Sequence, residues 1–267
     1  MTLEKYVINE GEKPLDNICS DGGFCSIFRT IGCIGDSLSS GEFEGFTENE
    51  RVCIDMFDYS WGQFMARDIG STVYNFSKGG LSAKEFDTFA RENGFYDDKY
   101  KAQAYIIAFG VNDITQMMNG TLELGSSNDI DLGDYAKNKA TFAGYYARII
   151  SKFKNLQPKA KFFLVTIPRG NEKKEREEFS DQHAELMYAI AKKLDNCYVI
   201  DLRKYAPVYD DEFRKDFFLG GHMNAAGYRL TALMIESYID YIIRNNSEDF
   251  TQIGFVGTPY HNANEKW

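Results

Sequence analysis

Five short strand-like runs alternate with longer stretches of helical spacing, and this alternation limits the fold more than any other feature. The runs are "TIGCIG" (30–35), "STVYNFS" (71–77), "AYIIAFG" (104–110), "KFFLVTI" (161–167) and "CYVIDL" (197–202). Between and after them lie "SWGQFMARDIG" (60–70), "SAKEFDTFARENG" (82–94), "LGDYAKNKATFAGYYARIISKFKNL" (132–156), "EREEFSDQHAELMYAIAKKLD" (175–195) and a last helical segment at about 224–244. Short continuous apolar strands separated by helices of this length belong to a parallel sheet covered on both faces. The pattern therefore predicts an α/β fold, a three-layer α/β/α sandwich with a mainly parallel central sheet. A chain of 267 residues suffices for one large core. Residues 1–27 read as a polar N-terminal surface extension, 28–245 as the domain and 246–267 as a C-terminal tail.

Charge and composition exclude several classes of function. A formal net charge of −10 repels phosphate backbones and anionic membranes, so nucleic acid is not an expected partner. No apolar run reaches the roughly 18 residues that a membrane span requires. The segment "MTLEKYVINEGEKPLDN" has none of the apolar core of a secretory signal, and the expected location is cytoplasmic. The five cysteines are scattered without a Cys-x-x-Cys pair and read as free thiols. His183, His222 and His261 lie far apart and in no ligand-spaced cluster, so no metal is expected. The 21 Phe and 17 Tyr fit a large core or an aromatic-lined pocket.

Open parallel sheets bind ligands outside the carboxyl ends of their strands, and three loops there are unusual. The first is "GDSLSSG". Ser37 is either a nucleophile, which then needs an imidazole to take its proton, or a helix N-cap with Asp36 closing the turn. The second loop is "SKGGLS", whose paired glycines either aim N–H groups at a ligand or make a tight turn. The third is "GVNDIT". Asn112 there is either a neutral oxyanion donor or the start of an Asx turn with Asp113. His222, in "LGGHMNAAGY", has the titration range of a general base and precedes the last helix. His183 and His261 are weaker candidates.

The order of these motifs resembles the SGNH hydrolases, also called GDSL esterases/lipases, from about Phe28 to Arg244. The resemblance implies a flavodoxin-like sandwich, an acyl-enzyme on Ser37, and His222 as base. It implies an oxyanion hole from the N–H groups of Ser37 and Gly80 and the side chain of Asn112. Gly80 is selected over Gly79 because it lies five residues after Asn75. No cofactor is implied, and the partner is a small ester, with acetylated sugars the leading class. The family's Asp three residues before the histidine is absent, Leu219 standing there; either Asp216, the nearest upstream acid and the favoured third member, reaches the imidazole, or a carbonyl oxygen orients it and the site is a Ser-His dyad. Lysophospholipase, thioesterase and inactive binding-module readings use the same residues. Asp36, Asp113, Tyr59, Trp61 and Arg169 are further candidates for contact with substrate, Tyr59 and Trp61 within an insertion at 48–61.

Overall fold

A computed structural model describes residues 9–263. Strand β1 (Thr30–Gly35) leads into a single helical turn, α1 (Ser37–Ser40). Strands β2 (Glu42–Phe46) and β3 (Arg51–Asp55) form an antiparallel hairpin before α2 (Trp61–Ile69). Then come β4 (Thr72–Ser77), α3 (Ala83–Glu92), β5 (Ala104–Ala108), α4 (Val111–Met118), α5 (Phe142–Leu156), β6 (Lys161–Val165) and α6 (Lys174–Lys193). The chain continues with β7 (Cys197–Ile200), α7 (Leu202–Tyr205), α8 (Asp211–Phe217), the two-residue strands β8 (Phe218–Leu219) and β9 (His222–Met223), and α9 (Ala225–Asn245).

Strands β1, β4, β5, β6 and β7 form one parallel sheet in the order β4-β1-β5-β6-β7. The order reverses at β1, so the carboxyl ends of β1 and β5 flank a switch point at which loops diverge to opposite faces. Two apolar clusters, one on each face, account for the helical layers. Ile31, Cys33, Ile106, Phe163 and Ile200 meet α2 and α9 on one side. Ile34, Phe76, Tyr105, Ile107, Phe162 and Leu164 meet α3, α5 and α6 on the other. Successive side chains of a strand point to opposite faces, so a fully apolar strand feeds both clusters. The expected three-layer sandwich with its parallel sheet is the observed one.

Residues 9–27 lie along α9: Cys19 N–H donates to Ser237 and Phe24 N–H to Asp240, while Glu12 pairs with Arg244. After α9, Phe250, Ile253 and Val256 are buried in the first cluster, and Gln103 Nε2 donates to the Ile253 carbonyl.

Two elements differ from expectation. Helix α5 starts at Phe142 rather than near 132, because Asp131 and Asp134 take up backbone N–H groups in local turns and Thr141 caps Gly144. The 48–61 insertion supplies β3 of the hairpin and a short 3-10 turn at Phe57–Tyr59. Among the described residues no helix is long and apolar enough to cross a membrane.

Candidate active site

The carboxyl ends of β1, β4 and β5 place the three glycine-bearing loops side by side. At the tip of β1, Asp36 is the N-cap of α1, accepting the Leu38 N–H at 3.0 Å. That leaves Ser37 as the first helical residue, its side chain uncommitted to capping and 8% of the residue exposed. Asp36 is itself buried, and burial raises its pKa to about 7. Its second oxygen is buried without a hydrogen-bond partner among the described residues.

At the tip of β4, Gly80 adopts φ +75°, a left-handed conformation that costs glycine little and other residues more. Gly79 is a different case. A Cβ there would collide with the Glu42 carboxylate, so the hairpin passes directly over this glycine. Its N–H donates to Asp55 at 3.3 Å. At the tip of β5, Asn112 and Asp113 lie in the first turn of α4. Asn112 Nδ2 donates to the Leu81 carbonyl at 3.0 Å, which spends one of its two hydrogens and ties the loop after β5 to the loop after β4. Asp113 is fully buried and accepts the Ala83 N–H at 2.9 Å, making it a structural clamp on the start of α3 rather than a substrate contact. Burial raises its pKa to about 7, with the neighbouring charge of Asp36 adding to the shift.

His222 arrives from the other side of the cleft on β9, paired with β8 in a two-residue ribbon. Its side chain is 20% exposed. Nε2 lies 3.0 Å from Glu42 Oε1, and Nδ1 lies 3.7 Å from Glu44 Oε2. Glu44 is held by the Gly221 N–H at 2.5 Å and by Arg51. These contacts hold its carboxyl below the usual range. Among the described residues, the carboxylates within 4 Å of the imidazole are these two, and they come from β2. Asp216, expected to orient His222, is exposed on α8, where its backbone carbonyl accepts from Asn224 Nδ2 at 2.8 Å. The reason is local geometry. Residues 218–223 form a ribbon that carries the imidazole away from α8 and towards the hairpin.

Ser37, Asn112 and His222 line one cavity of about 490 Å³. Its lining includes the apolar side chains of Leu38, Trp61, Val165, Leu202, Met223 and Ile235 and the polar side chains of Glu172, Arg176, Glu177 and Arg214. Of the other sequence candidates, Trp61 is buried in the cavity wall, whereas Tyr59 is exposed and packs edge-on against Phe43. Arg169 is exposed, and its carbonyl accepts the Tyr209 N–H. The arginines that line the cavity are Arg176 and Arg214, neither of which the sequence singled out.

His183 is a core histidine. It is fully buried against the Phe109 carbonyl at 3.0 Å, and burial lowers its pKa to about 4. His261 is exposed in the tail.

Comparison with known proteins bears on the fold and the family. The model of the GDSL-like Lipase/Acylhydrolase family matches residues 33–230. Among solved structures, a family two carbohydrate esterase from Clostridium thermocellum, in complex with cellohexaose, superposes with TM-score 0.56. Identity is 16%, over 89% of this chain and 66% of that one. The acetyl xylan esterase AlAXEase gives 0.52 at 16% identity over 79% and 99%. A GDSL-like lipase from Parabacteroides merdae gives 0.51 at 17% identity over 83% and 97%. No curated protein sequence matches. The chain belongs to the GDSL-like Lipase/Acylhydrolase family.

Proposed function

We propose that the protein is a serine esterase that cleaves carboxylic esters through an acyl-enzyme on Ser37. The observation that carries this reading is the convergence of Ser37, Asn112 and His222 on one cavity, with the Gly80 loop tied to Asn112 through Leu81. His222 takes the Ser37 proton as the hydroxyl attacks the ester carbonyl, and later returns it to the leaving alcohol. The oxyanion rests among the N–H groups of Ser37 and Gly80 and the remaining Asn112 hydrogen. A glutamate faces each ring nitrogen, so positive charge developing on the imidazole is stabilised without Asp216. For transfer, one ring nitrogen turns from its glutamate towards Ser37 while the other keeps its partner.

The polar lining of the cavity, with Arg176, Arg214 and Glu172, suits a hydroxylated alcohol such as a sugar. The carbohydrate esterases among the structural neighbours support this substrate class by analogy of fold. A second reading rests on the apolar lining. Leu38, Trp61, Met223 and Ile235 offer more apolar room than an acetyl group fills, which favours a longer acyl chain, as in a lysophospholipid or thioester. The inactive binding-module reading is the one a rate measurement removes.

The test is hydrolysis of p-nitrophenyl acetate by wild type and Ser37→Ala, followed by a panel of acetylated sugars against esters of increasing chain length. Activity should fall about 10³-fold or more in the variant with its melting temperature unchanged. Hydrolysis that survives the substitution removes Ser37 from the mechanism. The chain-length profile separates the two substrate readings.

A further inference from the structure

We propose that Glu42, Cys53 and His222 form a binding site for a thiophilic divalent cation, best matched by Zn²⁺, and that its occupancy withdraws His222 from catalysis. The inhibitory part rests on the esterase reading; the binding part does not.

The hairpin register creates the site. Glu42 stands opposite Asp55 and Glu44 opposite Cys53. Directly opposed residues of an antiparallel pair share a face, so one face of the hairpin carries Glu42, Glu44, Cys53 and Asp55. The other face carries Phe43, Val52 and Ile54, with Phe43 packed on Tyr59 and Tyr228. The polar face meets β9 at His222. One ligand atom each from Glu42, Cys53 and His222 lies within 4.8 Å of the other two. A tetrahedral zinc with ligands at 2.0–2.3 Å sets its donors about 3.3–3.7 Å apart, so small rotations of side-chain ends close the site. Imidazole, carboxylate and thiolate together select zinc over magnesium or calcium, which prefer oxygen alone.

Two independent observations point the same way. Histidines that bind metals commonly present their second ring nitrogen to a carboxylate. Glu44 lies 3.7 Å from Nδ1 and is itself anchored by Gly221 and Arg51. The second observation concerns charge. Glu42 opposite Asp55 is a like-charge pair, and a cation held at Glu42 would offset the negative charge gathered there. Asp55 is partly relieved by Ser40 and the Gly79 N–H, whereas the Glu42 carboxylate reaches His222 and the Cys53 thiol. Cys53 is exposed, which gives the ion an entry path. On binding, the thiol loses its proton to solvent and the sulfur becomes a thiolate ligand.

The experiment uses the full chain, freed of metal by chelator and dialysed against ZnCl₂, with Cys53→Ser alongside. Wild type should retain one Zn²⁺ per chain. Affinity should drop about tenfold or more in C53S, because a neutral hydroxyl replaces a thiolate. Cobalt substitution should give a near-ultraviolet thiolate-to-cobalt absorption in wild type that C53S lacks. Metal-free C53S should hydrolyse p-nitrophenyl acetate at the wild-type rate, and Zn²⁺ should inhibit wild type at concentrations that C53S tolerates. Zinc retention below one per chain, or equal retention in both proteins with no thiolate absorption, overturns the site. Stoichiometric zinc and the cobalt signature in a protein that hydrolyses no ester would establish the site and remove the esterase reading. Ester hydrolysis without zinc retention would do the reverse.

Discussion

The two sides of the cleft are built by different physics. Ser37, Gly80 and Asn112 sit at the ends of strands whose residues are buried in two apolar clusters. Their positions follow from hydrophobic burial, which is collectively strong, non-directional and independent of the charge state of nearby groups. His222 sits on a two-residue strand, facing a hairpin whose polar face is made of carboxylates and a thiol. Its position follows from hydrogen bonds and ion pairs, such as Glu44 with Gly221 and Arg51. Such contacts are individually small and respond to pH, ionic strength and cations. One side of the cleft is thus fixed by the core, and the other side is adjustable.

The sharpest way to break this contrast is to damage the core under the first side. Phe76 is fully buried on β4 among Phe95, Tyr100 and Phe153. Phe76→Ala should lower unfolding stability by about 3–5 kcal/mol in urea titrations. A much smaller loss would mean that the sheet does not govern the serine side.

The middle-sized effect tests the adjustable side. Glu44→Gln should reduce kcat/KM about tenfold or more through the imidazolium, whereas Asp216→Asn should stay within about twofold of wild type. If Asp216→Asn proves the more damaging, the sequence-based triad is restored. The glutamates then act only in shaping the hairpin.

The smallest effect reads the clamp between the two loops. Asp113 has its pKa raised from 3.8 to about 7 by burial, first, and by the charge of Asp36. Between those two values the folded protein keeps a proton that the unfolded chain has lost. The contribution to stability is therefore fully present below about pH 4 and is lost as pH rises towards 7. Asp113→Asn keeps the acceptor for Ala83 and removes the titration. Urea unfolding from pH 5 to pH 8 should show wild type losing about 1 kcal/mol or more beyond the loss in the variant. Parallel curves would mean that Asp113 is ionised in the fold at both pH values.

What was legible in the sequence divides along the same line. Continuous apolar runs between helical stretches can be satisfied by few folds, so the five-stranded parallel sheet and the loops bearing Ser37, Gly80 and Asn112 could be read directly. The hairpin could not be read from apolar runs, because β3 is mostly exposed and its period is carried by charges. The signal was present in Glu42-Phe43-Glu44 and in Val52-Cys53-Ile54, each alternating polar with apolar residues around a loop at 47–50. The partner of His222 was missed for a related reason. The acid was sought a few residues upstream, whereas the chain supplies it from nearly 180 residues away. The expectation of no metal relied on histidine spacing alone. A cluster with one histidine and two hairpin residues leaves no trace in that spacing.

The segment after α9 has a practical consequence. Phe250 and Ile253 sit beneath the amino ends of the strands, beside Phe28 and Gln103, while the cleft opens above the carboxyl ends. A surface tether or reporter joined behind Val256 would thus anchor the molecule by its base and leave the mouth of the cleft turned towards bulk solution.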